Sequence, residues 1–496
     1  MHNSYYLGLD VGSSSVKVGL VDAGTGKTIA VCSEPDTEMT IKAVKLGWGE
    51  QDPESWWKHA CNAIKRILSK NKIGPADVKG IGISYQMHGL VLVDKEGKVV
   101  RDSIIWCDSR AVEIGKNAFA EMGEGFCAEH FLNSPANFTA SKLKWVKENE
   151  PGHYKKIHKM MLPGDFIAYK LSGVINTTRS GLSEGILWDF KENDIANSLL
   201  EHYGIDASLI PDIVGTFEKQ SKLSKDGAAA CGLKAGTPIL YRAGDQPNNA
   251  LSLNILKPGE VAATGGTSGV MYAVTDELKT KETSRINSFA HVNHTENEPR
   301  IGKLLNINGA GILYRWMKDL LGIASYGKMN DYAEDAPIGS GGAVIIPFGN
   351  GAERMLENEM PGMHLAHVNF NMHDRRHICR AALEGIAFAF VYGMEILMGD
   401  GKAIKVIRAG NDNLFRSGLF SATIATLVGR EIEIYNTTGA VGAARAAGLT
   451  NKAFPDMDAV LGDTDHITTF KPHADKAEYQ KAYQRWKKEL NLILNA

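Results

Sequence analysis

"YLGLDVGSSSVKVGLVD" spans residues 6 to 22, and the fold class turns on how it is read. An apolar strand pattern runs into Asp10. A turn of small, hydroxylated residues follows (Gly12, Ser13, Ser14 and Ser15), then a second strand pattern that closes on Asp22. A plain hairpin needs two turn residues, often Asn-Gly or Asp-Gly. This turn is longer. It offers backbone N–H groups, three hydroxyls, the cation of Lys17 and one carboxylate, a set suited to a phosphate and its metal ion.

Roughly half a chain later the pattern returns. "GEVAATGGTSGVMYAVTD" (259–276) is again a strand, a small-residue turn with hydroxyls, a strand and an acid. One Gly/Ser turn carries little information. Two at this separation predict two similar domains, each presenting a phosphate-cradling hairpin to a shared cleft. A third glycine turn, "VIRAGNDN" (406–413), follows a strand and precedes the helical pattern "LFRSGLFSATIATLVG". It is suited to a nucleotide's purine or ribose near a helix N-terminus. Strand and helix signals alternate elsewhere too, which predicts an α/β fold. "VKGIGIS" (78–84) and "HGLVLVD" (88–94) read as strands. Residues 52–70 read as a helix with Asp52 as N-cap and Pro53 at the first position. Residues 374–398 read as a long central helix, and the C-terminal "DKAEYQKAYQRWKKELNLIL" as a charged surface helix.

The composition narrows the classes. A chain of 496 residues exceeds one core. Charges nearly cancel, at −2, and no basic run supports nucleic-acid binding. No uninterrupted apolar run reaches the length of a membrane span. Six scattered cysteines without a CxxC pair fit a reducing compartment rather than a zinc site or disulfide framework. The N-terminus enters a strand at once, and a cytoplasmic location is the expectation.

Three further stretches can carry chemistry. "PILYRAGDQPNNA" (238–250) drives a strand into Asp245, a second acid at a strand end just before the second hairpin. Asp10 and Asp245 facing one cleft would hold Mg²⁺ together with phosphate oxygens, or one of them could accept the proton of an attacking hydroxyl; the alternative is that both merely cap turns. "YQMHG" (85–89) lies between two strands, so His88 can bind a polyol hydroxyl while Met87 packs on carbon, or His88 can simply brace its loop. In "WCDSR" (106–110), Asp108 either binds sugar hydroxyls or pairs with Arg110.

These motifs, in this order, resemble the FGGY carbohydrate kinases, and within them the xylulokinases. The resemblance covers nearly the whole chain: "GLDVGSSSVK", "WGEQDPESWW", "QMHG", "IIWCDSR", "NFTASKLKWVKEN", "LPGDFIAYKLSG", "GDQPNNA", "GGTSG", "ALEGIAFA" and "AVGAARAAG". It implies two actin-like, ribonuclease H-like domains (1–252 and 253–496) around an ATP- and sugar-binding cleft. It implies Asp245 as catalytic base, Asp10 as a holder of Mg²⁺ with Asp245 beside it, and Met87 and His88 on the sugar; Asp245, Gln246 and, on the reading of its own stretch, Asp108 complete the expected sugar contacts. It implies Ser13, Ser14, Lys17, Gly266 and Thr267 on the ATP phosphates, and Gly410 and Asn411 in the adenosine loop. The sequence departs from the family pattern in three places: "AGNDN" replaces a run of glycines, "PFGNGAERM" (347–355) replaces a "PYLSGERTP" type, and Gln246 stands where many xylulokinases have Asn. The expected reaction is ATP-dependent phosphorylation of D-xylulose in xylose metabolism. Another pentulose, a pentitol or glycerol is the alternative acceptor, and a non-catalytic actin-like sugar or nucleotide sensor is the alternative class. The partners expected are ATP and a sugar, with neither nucleic acid nor membrane; a homodimer is compatible with the sequence.

Overall fold

The computed structural model describes residues 4–399, 403–411, 413–461 and 465–496. The first hairpin forms as its pattern predicts, from β1 (Tyr5–Val11) and β2 (Val16–Asp22), and β3 (Thr28–Glu34) extends it. Helix α1 (Pro53–Lys70) starts where the capping signal sits: the Asp52 side chain accepts the Glu54 N–H at 3.0 Å, and Pro53 opens the first turn. Next come β4 (Val78–Tyr85), α2 (Thr139–Asn149) and the short α3 (Arg179–Glu184). β5 (Phe217–Lys222), β6 (Pro238–Gly244) and α4 (Asp245–Ser252) complete the first half.

The second half repeats the plan. It holds β7 (Glu260–Gly265), β8 (Gly269–Thr275), β9 (Asn287–Ala290), β10 (Ile301–Ile307), α5 (Gly311–Leu320) and α6 (Arg375–Met398). It ends with β11 (Val406–Gly410), α7 (Gly418–Val428), β12 (Ile432–Tyr435), α8 (Gly439–Thr450), β13 (His466–Phe470) and α9 (Lys476–Leu494).

The sheets run β5-β6-β4-β1-β2-β3 and β9-β10-β8-β7-β11-β12-β13. In the first, β1 is antiparallel to β2 and parallel to β4, which is parallel to β6. In the second, β7 is antiparallel to β8 and parallel to β11, which is parallel to β12. The echo read in the sequence is therefore an echo of topology. The halves differ at both edges: the antiparallel strand β5 precedes its partner β6, whereas β13 follows its partner β12, and the second sheet adds β9 beside β10 at the opposite edge. Helix α6 packs into the core of the second half, and most of its residues are buried.

Two sequence expectations change. Of residues 88–94 only Val91–Val93 forms a strand, paired with Lys159–Met161 outside the two large sheets, because His88 turns the chain at φ +62°. The pattern from Leu414 does not make one helix. A 3₁₀ turn over Asn413–Arg416 ends at Ser417, whose hydroxyl caps α7 by accepting the Phe420 N–H.

Helix α8 belongs to the second half of the chain but lies on the first sheet. Gly8 pairs in register with Gly19 on one side and Gly82 on the other, so three adjacent strands carry a row without side chains. The helix fills that trough. A Cβ on Gly8 would stand 1.9 Å from the Ala440 carbonyl oxygen, and one on Gly82 2.0 Å from that of Ala443. Both contacts are to backbone, so a side chain must push the whole helix away. Gly82→Ala is therefore expected to destabilise the fold by about 1–3 kcal/mol, read as a lower midpoint of urea unfolding; a parental midpoint would show that the trough does not set this packing.

Candidate active site

Parallel strands β1 and β6 flank β4 and end at one edge of the first sheet, where α/β sheets commonly bind ligands. Asp10 is near the end of β1, and Asp245 is the first residue of α4, directly after β6. Each is partly exposed to the cleft. They are close enough to oppose each other's ionisation. Burial first, then the negative charge of Asp10, pushes the Asp245 carboxyl up to about 7. Asp10 is raised too, by burial, while the Lys17 cation and the Ser84 hydroxyl at 3.1 Å pull the other way. Lys17 sits directly across the hairpin from Asp10.

The same trough-filling helix reaches these acids. The α8 N-terminus abuts Asp10 so closely that a Cβ on Gly439 would meet Asp10 Oδ2 at 3.0 Å. The Gly439 carbonyl accepts from Asn248 Nδ2 at 2.8 Å, tying α8 to α4. A helix N-terminus beside a carboxylate favours its charged form. The "AVGAARAAG" motif was visible in the sequence, but its place beside Asp10 was not.

Met87 and His88 leave the end of β4 next to this pair. His88 is held by three hydrogen bonds. Its Nδ1 lies 2.8 Å from the Glu184 carbonyl oxygen, its N–H points at Glu184 Oε1 at 3.4 Å, and its own carbonyl accepts from Lys142 Nζ at 3.0 Å. The ring packs edge-on against Phe138 at 4.8 Å and tilted against Phe289 of β9 at 5.3 Å. Burial, reinforced by the Lys142 and Arg354 cations, lowers its pKa to about 3. A neutral imidazole whose Nδ1 faces a carbonyl must carry its proton there, so Nε2 is an acceptor. Lys142, from the "NFTASKLKWVKEN" stretch, also donates to the Ile105 carbonyl at 3.0 Å and so fixes both loops; burial lowers its pKa to about 8.

Asp108 is not free for a sugar. It is fully buried, accepts the Gly49 N–H at 2.7 Å and the Arg110 N–H at 2.9 Å, and takes the Arg110 guanidinium through Nε and Nη2. Arg110 in turn stacks over Trp48 at 3.8 Å. The ion-pair reading of "WCDSR" describes it, because the carboxylate oxygens are already committed. Gln246 follows Asp245 in α4 and hydrogen-bonds to it.

The first hairpin turn lies on the cleft rim. Ser14 is exposed, the Ser13 carbonyl accepts from Gln51 Nε2 at 2.7 Å, and its hydroxyl accepts from Trp106 Nε1 at 3.3 Å. Across the cleft, Gly266 and Thr267 of the second hairpin line a cavity of about 520 Å³ with Gly311, Tyr326, Leu414 and Arg416. That volume suits a nucleoside. Gly410 and Asn411 do not line it. They end β11 and open the turn that does, and Asp412 of that loop lies outside the described residues. Tyr326 and Arg416 had no signal in the sequence, since nothing in their local pattern marks a cavity wall.

Residues 5–252 match the N-terminal domain of the FGGY family of carbohydrate kinases. The chain belongs to that family. A xylulose kinase of Bacillus subtilis (strain 168) is 29% identical over 469 residues, spanning 92% of this chain and 87% of the relative. An L-xylulose/3-keto-L-gulonate kinase of Escherichia coli (strain K12) is 28% identical over 494 residues, spanning 97% and 96%. A solved structure from Brucella ovis, titled a xyloylose kinase, is similar with a TM-score of 0.88 at 27% identity, covering 99% of each chain. The protein is thus an actin-like α/β carbohydrate kinase, and membership makes ATP its substrate.

A neutral His88 implies that acceptor binding does not follow the ordinary histidine titration near pH 6.5. The KM for the sugar is expected to show no inflection there between pH 5 and 9 that disappears in His88→Gln. Such an inflection would mean that the ring is charged and reachable by water.

Proposed function

We propose that this kinase transfers the γ-phosphoryl group of ATP to the C5 hydroxyl of a ketopentose, D-xylulose first, with Asp245 as general base. The observation that carries this reading is the position of Asp245. It stands at a strand end beside Asp10 and next to the Met87–His88 loop, with its carboxyl pushed up to about 7. A base with that affinity for protons can take the hydroxyl proton near neutral pH. His88 Nε2 accepts from a second sugar hydroxyl, and Met87 packs on the carbon chain.

The donor set suits a divalent cation. Two carboxylates, both raised by loss of water and Asp245 also by the Asp10 charge, are relieved by a cation between them, and Mg²⁺ is held by one or two carboxylates plus phosphates. Asp10 and Asp245 would hold it, and it would supply charge neutralisation on the phosphate oxygens. The Ser13–Ser14 turn with Lys17, and the Gly266–Thr267 turn, face the phosphates from opposite sides. Gly410 and Asn411 shape the nucleoside end through the turn that follows them. The two domains, 1–252 and 253–496, close on the substrates and exclude water.

The acceptor is identified by sugar phosphate formed from ATP and Mg²⁺ across D-xylulose, L-xylulose, D-ribulose, xylitol, D-gluconate and glycerol. D-xylulose is expected to give the highest kcat/KM; a higher value for another acceptor replaces it, and no product from any acceptor overturns the reading. Asp245→Asn is expected to keep the fold and lose turnover by about 10²–10⁴-fold. Asp10→Ala is expected to shift the magnesium titration to higher concentration while the sugar KM stays near the parental value. A parental magnesium curve at parental rate would remove Asp10 from the metal site.

A further inference from the structure

One buried acid joins the loop that presents His88 to the strand end that delivers Asp245. Glu184 closes α3, and its side chain is fully buried. Its main-chain carbonyl fixes the His88 ring, and its Oε1 receives the His88 N–H. The other oxygen, Oε2, is buried. It fills the niche left by the missing side chain of Gly244: a Cβ there would stand 2.3 Å from Oε2 and 2.6 Å from Met87 Cγ. The buried Tyr85 hydroxyl hydrogen-bonds to the Glu184 carboxyl, which works against the rise in its pKa.

Packing alone does not explain a glutamate at this position. An aliphatic side chain would fill the same space but could accept neither the His88 N–H nor the Tyr85 hydroxyl, and buried polar groups left unpaired are costly. His88, moreover, holds φ +62°, a conformation uncommon outside glycine, although histidine adopts it more often than most residues. Such a conformation persists only where its surroundings impose it. Glu184 grips His88 on one side and presses against Gly244, the residue before Asp245, on the other.

We propose that Glu184 is a positioning residue for phosphoryl transfer: it sets the spacing between the acceptor loop at His88 and the strand end at Gly244–Asp245, so that a sugar hydroxyl, not water, meets the ATP γ-phosphate. This rests on reading the cleft as the acceptor site. Burial and the neighbouring Asp245 charge raise the Glu184 pKa, which favours the neutral form of the side chain in this niche. A neutral side chain of the same shape should therefore replace it, and a truncated one should not.

The test is the ratio of ADP released to sugar phosphate formed, measured with kcat and both KM values, on the acceptor the panel selects. Parent and Glu184→Gln are expected to couple near one to one, with similar kcat. Glu184→Ala is expected to lose about ten-fold or more in kcat, on the scale of a small misplacement of reacting groups. Its coupling ratio should rise about three-fold or more as water competes, with the KM for ATP unchanged. Gly244→Ala presses on the same niche from the opposite side and should uncouple as well; it carries the test if Glu184→Ala does not fold. A tightly coupled Glu184→Ala or Gly244→Ala enzyme, at whatever rate, overturns the proposal, because a merely structural residue alters stability without diverting phosphoryl groups to water. A Glu184→Gln enzyme as defective as Glu184→Ala overturns it too. Failure of the acceptor panel itself would be seen in the parent enzyme and would strike the functional reading instead.

Discussion

The row formed by Gly8, Gly19 and Gly82 is the constraint on which the rest of the active site depends. Three adjacent strands give up their side chains on one face, and the alanine-rich helix α8 settles onto bare backbone. The closeness matters more than the area buried, because it delivers the helix N-terminus to Asp10 with no room for a Cβ at Gly439. Through Asn248 the same helix end is joined to α4, which begins with Asp245. Both acids thus take their positions from one helix–sheet contact. That helix comes from the opposite half of the chain, so the contact also ties the two repeats together.

Around this contact, the site controls charge by burial. Asp10 and Asp245 share a locus in which loss of water raises both carboxyls and the Asp10 charge raises Asp245 further, with Lys17 opposing the rise. Glu184, buried behind Gly244, is raised as well, by burial first and then by the Asp245 charge. His88 is neutral for the converse reason, since burial disfavours the imidazolium and the nearby Lys142 and Arg354 cations add to the penalty. Lys142, itself buried, spends two hydrogen bonds on loop carbonyls and holds the acceptor loop in shape. The groups around His88 are therefore poised to exchange hydrogen bonds, while Asp10, Asp245 and Lys17 keep the ionisable charge at the strand ends.

Sequence legibility followed the physical range of each signal. Local signals were clear: Asp52 and Pro53 opened α1, and both hairpins formed around their small-residue turns. Expectations that depended on how far a pattern continues were weaker. Ser417 restarted the helix expected to run from Leu414, and a positive φ at His88 shortened the strand expected over 88–94. Asp108 shows the limit for single residues. The sequence placed it beside Arg110, but only the fold showed Gly49 and Arg110 occupying its oxygens.

By itself, the sequence determined an α/β chain of two echoing halves, with acids at strand ends, hydroxyl-bearing turns suited to phosphate, and a loop carrying Met87 and His88. Those features follow from patterns a few residues long, in which spacing and side-chain type dictate strand, turn or cap. Only the tertiary structure decided which of them meet. It placed α8 on the opposite half's sheet, set Glu184 behind Gly244 at a separation of 60 residues, and gave the nucleoside cavity its walls from Tyr326 and Arg416. The physical reason is that these partners are joined through space by close packing and desolvation. Burial, in turn, fixes the proton affinities of Asp245, Glu184 and His88, and no local pattern encodes how much water a side chain will lose.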